Sequence, residues 1–230
     1  MYALKRIILE EIGSTNDYAK ERRSEKIPFI VTAKRQTGGR GTKGRFFSSS
    51  EGGVYLTSLR FYEDFKARDA FKIMSGTAVA VCETLRFYGV QPKIKWSNDI
   101  FVGGKKICGI LIENTLSGDR ISSSVVGVGL NICNELPKEL DGIATTLFEQ
   151  TGKSVSVDEV TERLITELEK ERTIEAYRAY LGFIGERVRL VLGDSCVPAT
   201  LLGVDDEGRL VVDIDGERRI FSSAEVTLKV

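Results

Sequence analysis

A glycine-rich basic segment, GGRGTKGRFF at residues 38–47, is the first place where this chain could do chemistry. Glycine lets backbone amides turn toward an anion, and Arg40, Lys43 and Arg45 add positive charge beside them. The G-x-x-x-x-G-K-[ST] pattern of a P-loop is absent, so the segment alone indicates a phosphate site only weakly. A solvated surface loop and a single-stranded nucleic-acid groove, with two phenylalanines as stacking platforms, are the alternatives.

A second concentration of polar groups lies in KIKWSNDIFVGGKKICGILIEN, residues 93–114. Lys95, Asn98 and Asp99 precede a Gly-Gly turn, and Lys106 follows it. A carboxylate able to hold Mg²⁺, an amide and several lysines would converge on a triphosphate, whereas solvated hairpin lysines are the alternative. GVGLN at residues 127–131 is a third polar interruption, here of an apolar strand. Its simpler interpretation is that the two glycines serve packing and that Asn131 lies in a turn at the end of the strand.

Composition limits the chemistry that these groups can perform. The 230 residues include 33 Lys+Arg and 33 Asp+Glu, so no global field recruits nucleic acid or an anionic membrane. The chain has no histidine, which excludes histidine-based nucleophilic catalysis and histidine-ligated metals. No signal peptide or membrane-spanning run is evident, which predicts a cytoplasmic protein that does not bind membranes.

Hydrophobic periodicity then predicts the elements that position these residues. Strands are expected at residues 6–12, 29–34, 54–60 and 122–132, with a tight hairpin around Gly103-Gly104. Helices are expected from Ser14 or Thr15 to about residue 23, over about 67–87, and over about 157–181. Because the mixture lacks strict βαβ alternation, it predicts an α+β sheet domain.

The sequence pattern changes after Gly185, where short strand-like segments alternate with the turns GDS, DDEG and DGE. Close, even turn spacing without a helix predicts a small β-barrel. We therefore predict an α+β sheet domain at residues 1–184 and a small barrel domain at residues 185–230.

In order along the chain, the motifs resemble those of the biotin protein ligase family. GSTND is similar to its S-T-N element, QTGGRGTKGRFF to Q-x-x-G-R-G-R-x-G-R-x-W, KWSNDI to K-W-P-N-D, KKICGILIE to K-x-x-G-I-L-x-E, and GVGLN to G-x-G-x-N; ATTL at residues 144–147 matches a further element. The matches run collinearly from Gly13 to Leu147. The resemblance implies a mixed-sheet catalytic domain of the class II aminoacyl-tRNA synthetase/biotin ligase type, followed by a small SH3-like β-barrel.

The resemblance also implies a two-step reaction, in which biotin and ATP form biotinyl-5'-AMP and a lysine of a biotin carboxyl carrier protein then takes the biotin. The implied catalytic residues are Lys106, Arg40 and Asp99, with Asp99 as the Mg²⁺ ligand. The implied biotin-binding residues are Ser14, Thr15, Asn16, Gln36, Gly39, Arg40, Gly41, Thr42, Lys106, Gly109 and Gly127. The implied ATP- and adenylate-binding residues are Arg40, Lys43, Arg45, Phe47, Lys95, Asn98 and Asn131.

Three positions depart from the family pattern. Ser97 replaces a proline, Phe47 stands where tryptophan is usual, and Thr42 replaces an arginine whose charge helps to retain the adenylate. Lysine at position 43 cannot make the two-pronged phosphate contact of an arginine, so a leakier intermediate is predicted.

Other functions and assemblies stay open at this point. A lipoate ligase or octanoyltransferase is the nearest alternative activity, and a single-stranded nucleic-acid binding module is an alternative of another class. The first strand begins by about Arg6, which predicts a short form without the N-terminal DNA-binding domain and without sequence-specific DNA binding. A homodimer remains open.

Overall fold

The computed structural model describes residues 4–229, which form two β-sheets and five α-helices. The strands are β1 (Lys5–Ile12), β2 (Phe29–Gln36), β3 (Gly53–Lys66), β4 (Lys93–Lys95), β5 (Asp99–Val102), β6 (Lys105–Ser117), β7 (Arg120–Asn131), β8 (Arg187–Leu192), β9 (Ser195–Val204), β10 (Leu210–Ile214), β11 (Glu217–Phe221) and β12 (Thr227–Lys229). The helices are α1 (Thr15–Glu21), α2 (Phe71–Phe87), α3 (Leu147–Thr151), α4 (Val157–Leu168) and α5 (Ile174–Tyr180). None of the helices in residues 4–229 combines the length and the apolar character needed to cross a membrane.

The first sheet has seven strands in the order β1-β2-β3-β7-β6-β5-β4. β1 and β2 are parallel, and the remaining neighbours are antiparallel. The predicted α+β mixed sheet is therefore confirmed. The central strand, β7, and its neighbour β6 carry the glycines and lysines of the sequence motifs, so the chemistry lies on strands that are paired on both sides.

Side-chain alternation along β2 divides the core between two faces of this sheet. Phe29 and Val31 point to the face covered by α1, where they pack with Ala19. Ile30 points to the opposite face and belongs to the larger core that includes the buried stripe of α2. Because successive strand residues face opposite sides, a short apolar strand can serve both layers. The sheet is thus held rigid from both faces near the motifs.

Two predicted elements are interrupted in the structure. The first run of the predicted hairpin ends at Lys95, and Asp99 begins a separate strand, because the intervening turn bonds to β6. Asn98 Nδ2 donates to the Ile110 carbonyl at 2.9 Å, and the Ile110 amide donates to the Asn98 carbonyl at 3.0 Å. These two hydrogen bonds fix the turn on β6 and thereby fix where Asp99 begins β5.

The single helix expected over residues 157–181 is wrong, because the structure has α4 and α5 with a break between them. Thr173 caps α5 by accepting a hydrogen bond from the Ala176 amide. The buried carboxylate of Glu167 contacts Lys170 and Arg172, which lie in the break. Side-chain hydrogen bonds that satisfy a helix start compete with continuation of the preceding helix.

The second sheet is antiparallel, with the order β11-β10-β9-β8-β12, and confirms the predicted all-β C-terminal unit. Within residues 4–229 no ladder joins its two outer strands. It packs against the first unit at the turn before β5, where Trp96 is 6% exposed and its Nε1 donates to the Gly208 carbonyl at 2.9 Å. Phe71 of α2 lies so close to Gly208 that a Cβ there would be 1.9 Å from the ring. The C-terminal sheet therefore supports the turn that carries Asn98.

Candidate active site

A cavity of about 300 Å³ opens between the first sheet and the glycine-rich loop, which we define as residues 37–52. The volume lies at the lower end of the range of small-molecule sites. Most of the predicted site residues line it: Ser14, Thr15, Asn16, Gln36, Arg40, Gly41, Thr42, Arg45, Phe47, Lys95, Asn98, Asp99, Lys106, Gly109 and Gly127. Residues from distant parts of the sequence thus meet in one place.

One end of the cavity is polar, and it is built on the first residues of α1. Ser14 caps this helix by accepting from the Asp17 amide, which presents Thr15 and Asn16 to the cavity. Gln36 Oε1 accepts from the Thr15 amide at 2.8 Å and from its hydroxyl at 3.0 Å. Ser14, Thr15 and Asn16 are buried and Gln36 is half-buried. Their own hydrogen bonds pre-orient these groups, so they can recognise a small polar ring with little loss of entropy.

Asn16 is held by contacts on both sides of its amide. Its Oδ1 lies 2.7 Å from the Thr57 hydroxyl, and its Nδ2 donates to the Leu111 carbonyl at 3.4 Å and to Glu113 at 3.3 Å. A Cβ at Gly127 would lie 2.1 Å from Asn16 Oδ1. The space that Gly127 leaves therefore holds the Asn16 side chain in the described structure.

Glycines of β6 and β7 receive the ring of Phe47 in the same way. Gly109 and Gly129 are paired across the two strands, and Cβ atoms there would lie 3.1 Å and 2.5 Å from the ring. The Lys106 Nζ lies 5.9 Å from the ring centroid. Phe47 thus forms an apolar wall between the polar end of the cavity and the cations.

The other end of the cavity is cationic and is centred on Lys106. Its Nζ lies 2.6 Å from Asp99 Oδ1, so the ammonium is directed by a carboxylate on the neighbouring strand. The Lys106 backbone is fixed as well: its amide donates to the Ile143 carbonyl and its carbonyl accepts from the Thr145 amide, both at 2.9 Å. The ATTL element therefore anchors the strand at the lysine.

Lys95 stands beside this pair in a strongly positive environment. Burial lowers the pKa of Lys95, and the charges of Lys106, Arg45 and Lys229 lower it further against the opposing effect of Asp99. Like charges held together in a cleft favour an anion that can neutralise them. The geometry suits a phosphorylated ligand at this end.

Arg45 reaches back to the position where the family pattern has an additional arginine. Its Nη2 donates to the Thr42 hydroxyl at 3.1 Å, and its Nε donates to the Thr42 carbonyl at 3.3 Å. A guanidinium therefore lies beside Thr42, although Thr42 itself is uncharged.

Three predicted site residues do not line the cavity. Gly39 is buried in the loop, where a Cβ would lie 2.3 Å from the Phe47 carbonyl. Lys43 points to the C-terminal sheet and donates to the Thr227 hydroxyl. Asn131 is 4% exposed, and its Nδ2 donates to the Thr145 carbonyl at 3.1 Å, so it holds the ATTL segment. Gly39 contacts the lining residue Phe47, whereas Lys43 and Asn131 contact residues outside the cavity lining.

Sequence reasoning missed the apolar lining and two supporting polar residues. The missed lining residues are Phe46, Phe101, Ile110, Leu111, Val128, Gly129, Leu140 and Ile143. Thr57 and Glu113 support Asn16 without lining the cavity. Glu113 had a signal, since it closes the K-x-x-G-I-L-x-E motif; nothing in the local sequence distinguishes Thr57 from other strand threonines.

The described residues contain no group of three or more His, Cys, Asp or Glu side chains arranged to hold a metal ion. Asp99 is the carboxylate that lines the cavity. A lone carboxylate beside a phosphate site fits Mg²⁺, which commonly takes one or two carboxylates and completes its shell with phosphate and water oxygens. The residues present therefore fit Mg²⁺ as a shared ion, not as one in a protein cage.

A mixed sheet that carries a cationic cavity beside a pre-oriented polar pocket defines an anion-binding α+β enzyme domain. The model of the biotin/lipoate A/B protein ligase family matches residues 8–131, and that of the biotin protein ligase C terminal domain matches residues 183–229. The chain belongs to the biotin/lipoate A/B protein ligase family, on its biotin protein ligase branch.

Individual relatives support the same assignment. The bifunctional ligase/repressor BirA of Bacillus subtilis is 32% identical over 234 residues, which are 92% of this chain and 70% of that protein. The biotin--[acetyl-CoA-carboxylase] ligase of Mycobacterium tuberculosis is 28% identical over 95% of this chain and 87% of that protein. The structure of the biotin protein ligase from Aquifex aeolicus in complex with biotin and ATP is similar with a TM-score of 0.79, 28% identity and 98% coverage of both chains.

Proposed function

We propose that this chain activates biotin with ATP to give biotinyl-5'-AMP and transfers the biotin to a lysine of a biotin carboxyl carrier protein domain. The observation that carries the proposal is the Lys106–Asp99 pair, 2.6 Å apart, at the point where the polar pocket meets the cationic end of the cavity. A carboxylate and a phosphate that are to react must approach each other there. Family membership and the relatives described above support the same reaction.

In the first step the biotin carboxylate attacks the α-phosphorus of ATP, a C(O)–O–P bond forms, and the bond to pyrophosphate breaks. Ser14, Thr15, Asn16 and Gln36 would hold the ring system, which leaves the carboxylate directed at Lys106. Both reactants are anions, so the ammonium of Lys106 offsets their repulsion and stabilises the charge on the transferring group. Lys95 and Arg45 would bind the phosphates.

In the second step the neutral amine of the carrier lysine attacks the carbonyl carbon of the mixed anhydride. An amide bond forms, AMP leaves with the bonding electron pair, and the amine proton passes to solvent. Arg40, Gly41 and Thr42 lie on the loop that borders the cavity, and this loop would keep water from the anhydride between the steps. Phe47 can stack on adenine with a smaller face than tryptophan has.

Mg²⁺ would be held by Asp99 together with phosphate oxygens of ATP, and it supplies charge neutralisation of the triphosphate when bound. Asp99 also orients Lys106, so one carboxylate serves both cations. We further propose a division between a catalytic domain at residues 1–184 and a C-terminal domain at residues 185–230. The family match that begins at residue 183 and the start of β8 at Arg187 support this boundary.

The proposal is tested by incubating the protein with biotin, MgATP and a carrier domain, and by comparing the parent with Lys106→Ala and Lys105→Ala. Both lysines lie at the start of β6, but Lys105 does not line the cavity. Removal of one electrostatic stabiliser of this kind lowers the rate by about 100- to 1,000-fold. We expect that loss for Lys106→Ala and little change for Lys105→Ala; equal biotinylation by all three proteins would refute the role of Lys106.

Pyrophosphate exchange into ATP distinguishes biotin from lipoate as the acid that is activated. Exchange that depends on biotin supports the proposal. Exchange that depends on lipoate and not on biotin would transfer the assignment to the lipoate branch of the same family.

A further inference from the structure

Four charged side chains join the glycine-rich loop to α1 and β6, and we call them the Arg40 cluster: Asp17, Lys20, Arg40 and Glu113. Arg40 Nη1 lies 2.5 Å from Asp17 Oδ1, and Arg40 Nη2 lies 3.9 Å from Glu113 Oε1. Lys20 Nζ bridges the same two acids at 2.7 Å and 3.0 Å. The cluster contains two positive and two negative charges, so Arg40 is neutralised without depending on any bound anion.

Asp17 is the closest partner of Arg40 in this cluster. Within residues 4–229, the guanidinium of Arg40 forms ion pairs only with Asp17 and Glu113, and the contact with Glu113 is the longer one. Partial burial alone would raise the pKa of the Asp17 carboxyl, but hydrogen bonds and charge from Lys20 and Arg40 outweigh it and lower that pKa. Asp17 is therefore ionised at neutral pH, and its place in the first turn of α1 also favours the negative charge.

The backbone contacts next to Arg40 lie within the loop itself: the Gly41 amide donates to the Arg45 carbonyl at 2.7 Å, and the Phe47 amide donates to the Gly39 carbonyl at 2.9 Å. Gly39 and Gly41 flank Arg40, and the backbone of Arg40 makes an isolated bridge to Phe46. These contacts hold the loop backbone but not the long, exposed side chain of Arg40, so a side-chain contact outside the loop has a large effect on where the guanidinium lies. The contact with Asp17 supplies such an anchor on a helix that is itself packed on the sheet.

Asp17 does not line the cavity, whereas Arg40 does. The same helix presents Thr15 and Asn16 to the polar pocket, and Glu113 of the cluster also accepts from Asn16 Nδ2. The cluster therefore connects the loop to the residues that would recognise the ligand. Position 42, where the family pattern has an arginine, is a threonine, so the arginines that line the cavity are Arg40 and Arg45. The position of each guanidinium therefore has a larger effect on how an anion is held.

We propose that Asp17 is a positioning residue that holds Arg40 over the cavity and thereby slows the escape of the acyl-adenylate between the two steps. The inference rests on the proposed function, since it requires that the adenylate forms. Asp17 contacts neither reactant and acts through Arg40. Its loss increases the rate of adenylate release without abolishing adenylate formation.

The test compares the parent with Asp17→Asn, Asp17→Glu and the matched control Glu21→Gln. Glu21 also carries an acid on α1, but its contact is with Arg22 and not with the loop. Labelled biotinyl-5'-AMP is formed on each protein, chased with unlabelled biotin, and followed as it leaves. An exposed ion pair of this kind is worth about 0.2–1 kcal/mol, so we expect release to accelerate by about 1.4- to fivefold for Asp17→Asn. Asp17→Glu should restore slow release, and Glu21→Gln should match the parent.

Coupling to Arg40 separates positioning from a general loss of structure. In an Arg40→Gln background, Asp17→Asn should add nothing further, because the contact through which it acts is already gone. Additive effects, or equal release by Asp17→Asn and Glu21→Gln, would overturn the inference. A parent that forms no biotinyl-5'-AMP would instead refute the proposed function, so the two failures are distinguishable.

Discussion

Substitution of Gly127 by alanine is expected to damage the polar pocket and the stability of the protein together. The new Cβ would lie 2.1 Å from Asn16 Oδ1 and 2.8 Å from its Cγ, so either the amide or the strand has to move. Asn16 cannot rotate away freely, since it is 5% exposed and bonded on both sides of its amide. The expected result is displacement of Asn16 from the orientation that faces the ligand.

The size of the effect follows from two costs. Forcing one extra carbon into a well-packed site costs about 1–3 kcal/mol. Losing the hydrogen bond between Asn16 and Thr57 adds about 1 kcal/mol, giving a total of about 2–4 kcal/mol in the free energy of unfolding. For a chain of this length each kcal/mol lowers Tm by about 2–4 °C, so a decrease of about 4–16 °C is expected. Loss of the Asn16 contact should weaken biotin binding by about ten- to a hundredfold.

Thermal unfolding and calorimetric titration with biotin measure the two effects, and Gly76→Ala is the matched control. Gly76 lies within α2, where a Cβ would meet only Arg172 Cβ at 4.0 Å. The same chemical change there should stabilise the protein by about 0.5–1 kcal/mol, because glycine is unfavourable in a helix. If Gly127→Ala had the Tm and biotin affinity of the parent, the close approach of Asn16 to β7 would be refuted.

Two further predictions concern the cationic end of the cavity. If Lys95 has its proposed role, its protonated form binds phosphate, so ATP affinity should fall as the pH rises toward the lowered pKa of Lys95. Lys95→Arg should retain affinity over the same range; titrations between about pH 7 and pH 10 measure this, and parallel profiles would contradict it. Thr42→Arg should slow the release of biotinyl-5'-AMP, measured by the same chase as for Asp17, whereas an unchanged rate would mean that the nearby Arg45 guanidinium already supplies the missing charge.

The sequence predicts the elements of the fold where hydrophobic periodicity is strong and uninterrupted. β2, β3, β7 and α2 are found close to their predicted positions, because each has an apolar face that the core requires. The failures occur where side chains compete with the backbone. The turn at Asn98 bonds to a strand that is distant in sequence, and the buried Glu167 lies beside the break between α4 and α5.

The same distinction applies to the candidate site. Motif order predicts that the polar and cationic residues converge, and the structure brings most of them to one cavity. Motif order does not predict which lining residues are held by others. Asp17 and Glu113 act on Arg40 and Asn16 across 23 and 97 residues of sequence, a separation at which local patterns carry no information. The departure at Thr42 is visible in the sequence, but the return of Arg45 to it depends on the fold of the loop.

Contact between Trp96 and Gly208 has a spectroscopic consequence. Trp96 is the one tryptophan of the 230 residues, so the indole fluorescence of the protein originates at a single position. That indole is buried, bonded to the C-terminal sheet, and two residues before Asn98 in the sequence. Separation of the C-terminal sheet from the turn would expose the ring to water and shift its emission to longer wavelength. The chain thus contains an intrinsic optical probe, positioned where its two sheets meet beside the candidate active site.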